Sequence, residues 1–251
     1  MTKNALMIIV ILTLPPNKVR DFVMIDEKER LINMFFNIRS NNHPEALKNC
    51  QSQCEVFLLK EDSEEIKDLI NTIQALIIYF KTGNKKESRK WVHDLLDKLY
   101  SKSNLSLFNI RLLNSLLFVE TNVEKVINNV NTCLKQLEVY RFHDHYVNIK
   151  ISMNLNLLDS LMMSKYFDKH YDSKYDGFIS KIIKEIITLN LDHKLNSKYY
   201  VGLAQIYKGI LLKDQDIIYP GVLLLKSSDQ ENSQAIHDLL EVYKKKYNIV
   251  I

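Results

Sequence analysis

The sequence predicts an all-α protein, a right-handed helical-repeat solenoid of about ten helices, and three observations support this prediction. The 251 residues include only five Gly and four Pro, whereas sheet-rich sandwiches and barrels use both residue types in their many turns. Hydrophobic residues make up 46% of the chain and charged residues 25%, as in chains that bury a core. From Asp26 onward, apolar residues recur with the period of a helix.

The predicted helices begin about every 20 residues, so that a helix pair takes about 40 residues, which is within the range of helical repeats. No tetratricopeptide (TPR) consensus is spelled out, and the repeat is therefore TPR-like in architecture only. The pattern predicts helices over 27–39, 43–59, 63–81, 85–101, 105–119, 122–140, 144–167, 174–189, 197–213 and 230–246.

Helix starts are indicated by a recurring pair of polar residues. A short polar side chain is followed three residues later by a glutamate, which resembles a capping box and suits the helix dipole. The five pairs are Asn42 with Glu45, Asp62 with Glu65, Asn84 with Glu87, Thr121 with Glu124 and Ser228 with Glu231.

The predicted helices are of two kinds. Helices 63–81 and 105–119 are apolar on most sides and must be covered on several sides. Helices 85–101 and 122–140 have one apolar stripe, as expected of an outer layer. Alternation of buried inner helices with striped outer helices is typical of a helical solenoid.

A few polar side chains interrupt the apolar inner helices. In a solenoid the equivalent faces of successive inner helices line one concave groove. Carboxamides in such a groove offer donors and acceptors to the peptide bonds of an extended peptide, and an arginine there would pair with a carboxylate. For each residue, solvent exposure or a hydrogen bond between helices is the alternative. The candidate peptide-binding residues are Asn71, Gln74, Arg111, Asn114, Asn148, Asn154, Asn156 and Gln205.

Composition and motifs exclude several other classes of protein. The net charge of +4 is small and spread along the chain, so no segment has the concentrated positive charge of a nucleic-acid-binding arm. A phosphate-binding loop and a nucleophile elbow are both absent from the sequence, and we expect neither an enzyme nor a cofactor. Three cysteines suit a reducing, cytoplasmic location, and their spacing does not predict a metal site. The apolar run 5–14 is too short to span a membrane and is followed by two prolines.

Four segments resemble the C-terminal region of the Rgg/MutR family of Gram-positive transcriptional regulators, and the likeness extends over 26–251. They are DEKERLINMFFNIRSNN (26–42), TIQALIIYFKTGN (72–84), LFNIRLLNSLLFVETNVEKV (107–126) and ISMNLNLLDSLMM (151–163). The resemblance implies a TPR-like domain that forms a homodimer and binds a short secreted peptide pheromone, as in quorum sensing. Six of the candidate residues fall in or next to the matching segments: Asn71, Gln74, Arg111, Asn114, Asn154 and Asn156.

The family plan also includes an N-terminal helix-turn-helix domain, which needs about 60 residues. Here we expect residues 1–25 to be a remnant of that domain and 26–251 to be the peptide-binding and dimerisation domain. The sequence therefore predicts a peptide-sensing regulatory domain without direct DNA binding. The alternatives are a complete DNA-binding regulator whose helix-turn-helix lies outside this chain, and a protein-binding helical scaffold.

Overall fold

The computed structural model describes residues 27–38, 44–167, 173–193, 197–228 and 233–249. Over these ranges the chain forms eleven α-helices and two short 3-10 turns without a strand, which confirms the all-α class. The predicted remnant at 1–25 lies outside the described residues. The helices are α1 (27–36), α2 (Pro44–Leu58), α3 (Glu64–Thr82), α4 (Lys85–Tyr100), α5 (Leu107–Leu116), α6 (Val123–Leu137), α7 (Tyr146–Phe167), α8 (Tyr175–Asp192), α9 (Lys198–Leu212), α10 (Gln215–Lys226) and α11 (Ser233–Tyr247).

Helix α10 is absent from the ten predicted helices. It contains Pro220, which lacks the amide hydrogen that a helix interior normally uses. The helix forms because it buries Ile218, Val222 and Leu225 on one face. Its start is capped by Asp214, whose carboxylate accepts a hydrogen bond from the amide of Asp216 at 2.9 Å.

One predicted capping pair is confirmed and another is shifted by one residue. The side chain of Asn84 accepts a hydrogen bond from the amide of Glu87 at 3.1 Å. At the start of α6, however, the cap is Asn122, not the predicted Thr121. The side chain of Asn122 accepts from the amide of Lys125 at 3.0 Å, since an amide oxygen serves this position as well as a hydroxyl does.

A third predicted cap is wrong. The N-cap position of α3 is Ser63, and the carboxylate of Asp62 lies 2.5 Å from Nζ of Lys67 instead. An ion pair with a lysine one turn into the helix therefore takes the place of the predicted bond to the backbone. The pairs that involve Asn42 and Glu231 fall outside the described residues.

The chain divides into two compact units, with the boundary inside α4 between His93 and Asp94. In unit 1, helices α2 and α3 pack against each other. A side-chain hydrogen bond from Arg30 to Gln53, 3.1 Å long, joins α1 to α2. The buried apolar residues of unit 1 include Leu31, Phe35, Leu47, Phe57, Ile66, Leu69, Ile73 and Leu76.

Unit 2 is organised as a chain of neighbouring helix pairs. Each helix from α5 to α11 contacts the next one along the sequence. In addition, α5 contacts α7, and α7 contacts α9. Contacts between every second helix are what stacked helical hairpins make, and they place α5, α7 and α9 side by side.

Helices α9 and α10 make the most extensive helix–helix contact in the described part of the chain. They approach closely because Gly202 of α9 faces Gly221 of α10. A β-carbon on Gly202 would lie 2.8 Å from the carbonyl oxygen of Gly221 and 3.0 Å from Cγ of Leu225. Only glycine permits this approach of two backbones.

Candidate functional site

The candidate site lies in unit 2, on α5 and α7, and the contacts of Leu105 fix the relative direction of these helices. Just before α5 begins, the amide of Leu105 donates to Oε1 of Gln136 at 2.6 Å, and its carbonyl accepts from the hydroxyl of Tyr140 at 3.2 Å. Gln136 and Tyr140 end α6 and the turn after it, shortly before α7 starts at Tyr146. Helices α5 and α7 therefore start at the same end of α6. They run in the same direction, because Asn114 of α5 also contacts Ser152 and Asn156 at a similar distance from the start of α7.

Three polar side chains join α5 to α7, and we call them the amide cluster: Asn114, Ser152 and Asn156. Nδ2 of Asn114 donates to Oγ of Ser152 at 2.9 Å. Nδ2 of Asn156 donates to Oδ1 of Asn114 at 2.9 Å and to its backbone carbonyl at 3.2 Å. All three side chains are half-buried, so the cluster is bonded between helices and still borders solvent.

Arg111 lies one helical turn before Asn114, on the same face of α5. It is half-buried, and this burial lowers the pKa of its guanidinium to about 10. The group is therefore still a cation at neutral pH. Partly removed from water, it interacts more strongly with an anion than a fully exposed arginine would. Asn148, another predicted residue, is half-buried one turn before Ser152 on α7.

Asp159 follows the amide cluster on α7 and was missed by sequence reasoning. Its Oδ1 accepts a hydrogen bond from the hydroxyl of Tyr207 on α9 at 2.6 Å, and that hydroxyl lies 2.7 Å from the hydroxyl of Tyr243 on α11. Burial raises the pKa of both tyrosines well above the usual value, so both hydroxyls remain protonated. The signal that would have revealed it is its charge, because the other polar residues of segment 151–163 are uncharged.

The remaining predicted residues lie elsewhere. Asn154 on α7 is only 1% exposed, so a ligand on the surface does not reach it, and its Nδ2 has no hydrogen-bond partner among the described residues. Gln205 on α9 is half-buried, and its buried Oε1 likewise lacks a partner in the described part of the chain. Asn71 and Gln74 are half-buried on α3, which belongs to unit 1.

The thiol of Cys133 shows no sign of chemical activation. Cys50, Cys54 and Cys133 are free and buried. Burial raises the pKa of the Cys133 thiol to about 12, so its reactive thiolate is scarce at neutral pH. Within the described ranges, no group of three or more histidine, cysteine or acidic side chains is arranged to hold a metal ion.

A cavity of about 140 Å³ lies between the end of α4, α5 and α6. Its polar groups are already engaged: Nδ2 of Asn129 donates to the hydroxyl of Tyr100 at 2.8 Å, and Gln136 accepts from Leu105. Small-molecule pockets usually enclose about 300–1,000 Å³. This cavity is therefore small for a compact ligand. The half-buried polar face of α5 and α7 is the better candidate site, and its shape suits an extended ligand.

Comparison of the chain with protein-family models, curated proteins and solved structures finds no match in any of the three. The function is therefore inferred from the polar face of unit 2.

Proposed function

We propose that this protein binds a short, largely apolar peptide in extended form across α5 and α7, and that it is the peptide-sensing domain of an Rgg/MutR-like transcriptional regulator. One observation supports the proposal most strongly. The amide cluster lies half-buried at the surface of unit 2, with a partly desolvated cation, Arg111, one turn away.

The chemistry of the amide cluster matches that of a peptide backbone. A carboxamide has two donor hydrogens and an acceptor oxygen, and a serine hydroxyl both donates and accepts. The bonds between Asn114, Ser152 and Asn156 use part of this capacity and fix the orientation of the side chains. A site that is oriented before the ligand arrives loses less conformational entropy on binding.

The wider proposal concerns architecture and signalling. We propose that the helices continue as a right-handed TPR-like solenoid and that the protein acts as a homodimer in the cytoplasm. The contacts between alternate helices in unit 2 support a repeat of this kind. Peptide binding would act by population shift, because it favours the arrangement of helices or of the dimer that binds the peptide more tightly.

The test uses a defined pool of synthetic apolar peptides of four to ten residues. Peptides retained by the protein in gel filtration are identified by mass spectrometry, and their affinity is measured by calorimetry. We expect Asn114→Ala and Arg111→Ala each to weaken binding at least tenfold, since each removes a hydrogen-bonding or charged partner of the peptide.

The matched control is Asn131→Ala, which removes an exposed asparagine from α6. This variant is expected to bind as the wild type does. Equal affinity of the wild type and both site variants would disprove the site, and retention of no peptide would disprove the function. A salt-sensitive, sequence-specific mobility shift of promoter DNA by this chain would instead favour the DNA-binding alternative.

A further inference from the structure

We propose that α10 forms the interface of the homodimer, and that it packs antiparallel against α10 of a second copy of this chain across a two-fold axis. The inference rests on the homodimer of the proposed function and adds the surface through which that dimer forms. It does not involve the amide cluster, so its test is independent of peptide binding. The evidence is one exposed face of α10, which is apolar at its centre and oppositely charged at its two ends.

Helix α10 has apolar residues on every side, but its neighbours cover only part of it. It packs mainly against α9 and α11, and Ile218, Val222 and Leu225 are buried. On another face, Tyr219 is 63% exposed and Leu223 is 49% exposed. A helix that is apolar all round is normally covered on all sides. Two large apolar side chains exposed one turn apart therefore indicate a surface that a partner covers.

Opposite charges lie at the two ends of this exposed face. The four residues of the face, which we call the α10 seam, are Asp216, Tyr219, Leu223 and Lys226. Steps of three, four and three residues keep them on one side of a helix. Asp216 and Lys226 are exposed, and neither takes part in an ion pair within the described residues. Both charges are therefore accessible to another molecule.

The α10 seam is complementary to itself. In a two-fold interface, when residue i of one copy contacts residue j of the other, j also contacts i. A two-fold axis at the level of Gly221 places Asp216 opposite Lys226 of the second copy, because both are five residues from Gly221. The same axis places Tyr219 opposite Leu223 of the second copy, because both are two residues from Gly221. One arrangement thus forms two ion pairs with the apolar side chains of both copies between them.

The charges also select the direction of packing and the kind of partner. A parallel pair of α10 helices would place Asp216 against Asp216 and Lys226 against Lys226, and like charges oppose such a contact. A different protein would require no such symmetry in the seam, whereas a second copy does. A standard interface buries about 1,600 Å² in total, and a pair of helices about 18 Å long covers only part of such an area. We therefore expect a reversible dimer with a dissociation constant in the micromolar range.

The first test is sedimentation equilibrium of the full chain over a wide range of concentration, where we expect a monomer–dimer equilibrium. Leu223→Glu places a charge in the apolar centre of the α10 seam and should weaken the dimer by about tenfold or more. The matched control is Leu59→Glu, which adds the same charge at an exposed leucine of unit 1 and should leave the dimer unchanged. Circular dichroism checks that each variant is folded, since both substitutions are at exposed positions.

Two charge-reversal variants test the antiparallel pairing. Asp216→Lys would place lysines opposite each other at both ends of the dimer, and Lys226→Asp would do the same with aspartates. Each variant alone should therefore dimerise about tenfold more weakly than the wild type at low salt. An equimolar mixture of the two variants restores both ion pairs with exchanged signs and should form a heterodimer. The control is Lys135→Asp, which reverses an exposed charge on α6 and should dimerise as the wild type does.

The outcomes separate the interface from the rest of the proposed function. A dimer that all the α10 variants leave intact would overturn the inference and keep the homodimer, formed through another surface. A monomer at every concentration would overturn both. Weakened variants whose mixture forms no heterodimer would overturn the antiparallel pairing. Retention of no peptide by a wild-type dimer would overturn the peptide site and leave the interface standing.

Discussion

Replacement of Gly202 by alanine tests the close packing of α9 against α10. The new β-carbon would lie 2.8 Å from the carbonyl oxygen of Gly221, 3.0 Å from Cγ of Leu225 and 3.1 Å from its amide nitrogen. Two of these three atoms belong to the backbone, so a side-chain rotation alone cannot relieve the contact. The helices must separate locally.

The expected magnitude combines two opposing effects. Overpacking of a close contact costs about 1–3 kcal/mol, and the backbone neighbours place this site at the upper end. Alanine in place of glycine favours a helix by about 1 kcal/mol. The net loss of unfolding free energy is therefore about 2 kcal/mol, which lowers the melting temperature by about 4–8 °C.

The assay is urea and thermal unfolding followed by circular dichroism at 222 nm. Gly177→Ala is the matched control, because a β-carbon there meets no atom within 4 Å and only the helix preference changes. This variant should be unchanged or stabilised by up to about 1 kcal/mol. A Gly202→Ala protein that is as stable as Gly177→Ala would refute the close-approach explanation.

Four further predictions concern single residues. Tyr207→Phe removes the hydrogen bonds to Asp159 and Tyr243 and should cost about 1–3 kcal/mol in urea unfolding; an unchanged midpoint would contradict this. Burial raises the pKa of Tyr207 and Tyr243, so stability should be constant at neutral pH and fall as the pH rises above about 10, the value in an unfolded chain. A urea midpoint that is the same at pH 11 as at pH 8 would contradict that expectation. Gly83 has φ +67° at the end of α3, so Gly83→Ala should lower the free energy of unfolding in urea by about 1 kcal/mol. An unchanged free energy of unfolding would show that the turn adapts to a side chain. Cys133, with a thiol pKa of about 12, should react with a maleimide at pH 7 far more slowly in the native protein than in urea; equal rates would show that it is accessible.

The sequence predicts most of the helices, because the apolar period that indicates a helix lies within the segment that forms it. It misses α10, since Pro220 argues against a helix while the benefit of burying Ile218 and Val222 depends on α9, which packs against them. The starts of helices depend on which of two adjacent polar residues reaches the first free amide, and so Asn122 rather than Thr121 caps α6.

The candidate site is predicted only in part, for a reason that α7 illustrates. This helix is apolar on nearly all sides, so the sequence does not show which face borders solvent. Asn154 and Asn156 are two residues apart, which on a helix is a rotation of about 200° around the axis, so their side chains lie on opposite faces. One is buried and the other joins the amide cluster. Long-range partners such as Asn114 and Ser152 are likewise not encoded in local periodicity.

The close α9–α10 pairing bears on the order in which the protein assembles. The two helices are joined by a short turn at Lys213 and Asp214, so their contacts link residues that are near one another along the chain. Contacts of short sequence separation form with little loss of loop entropy and tend to arise early. This hairpin is therefore a natural nucleus onto which the helices before and after it condense.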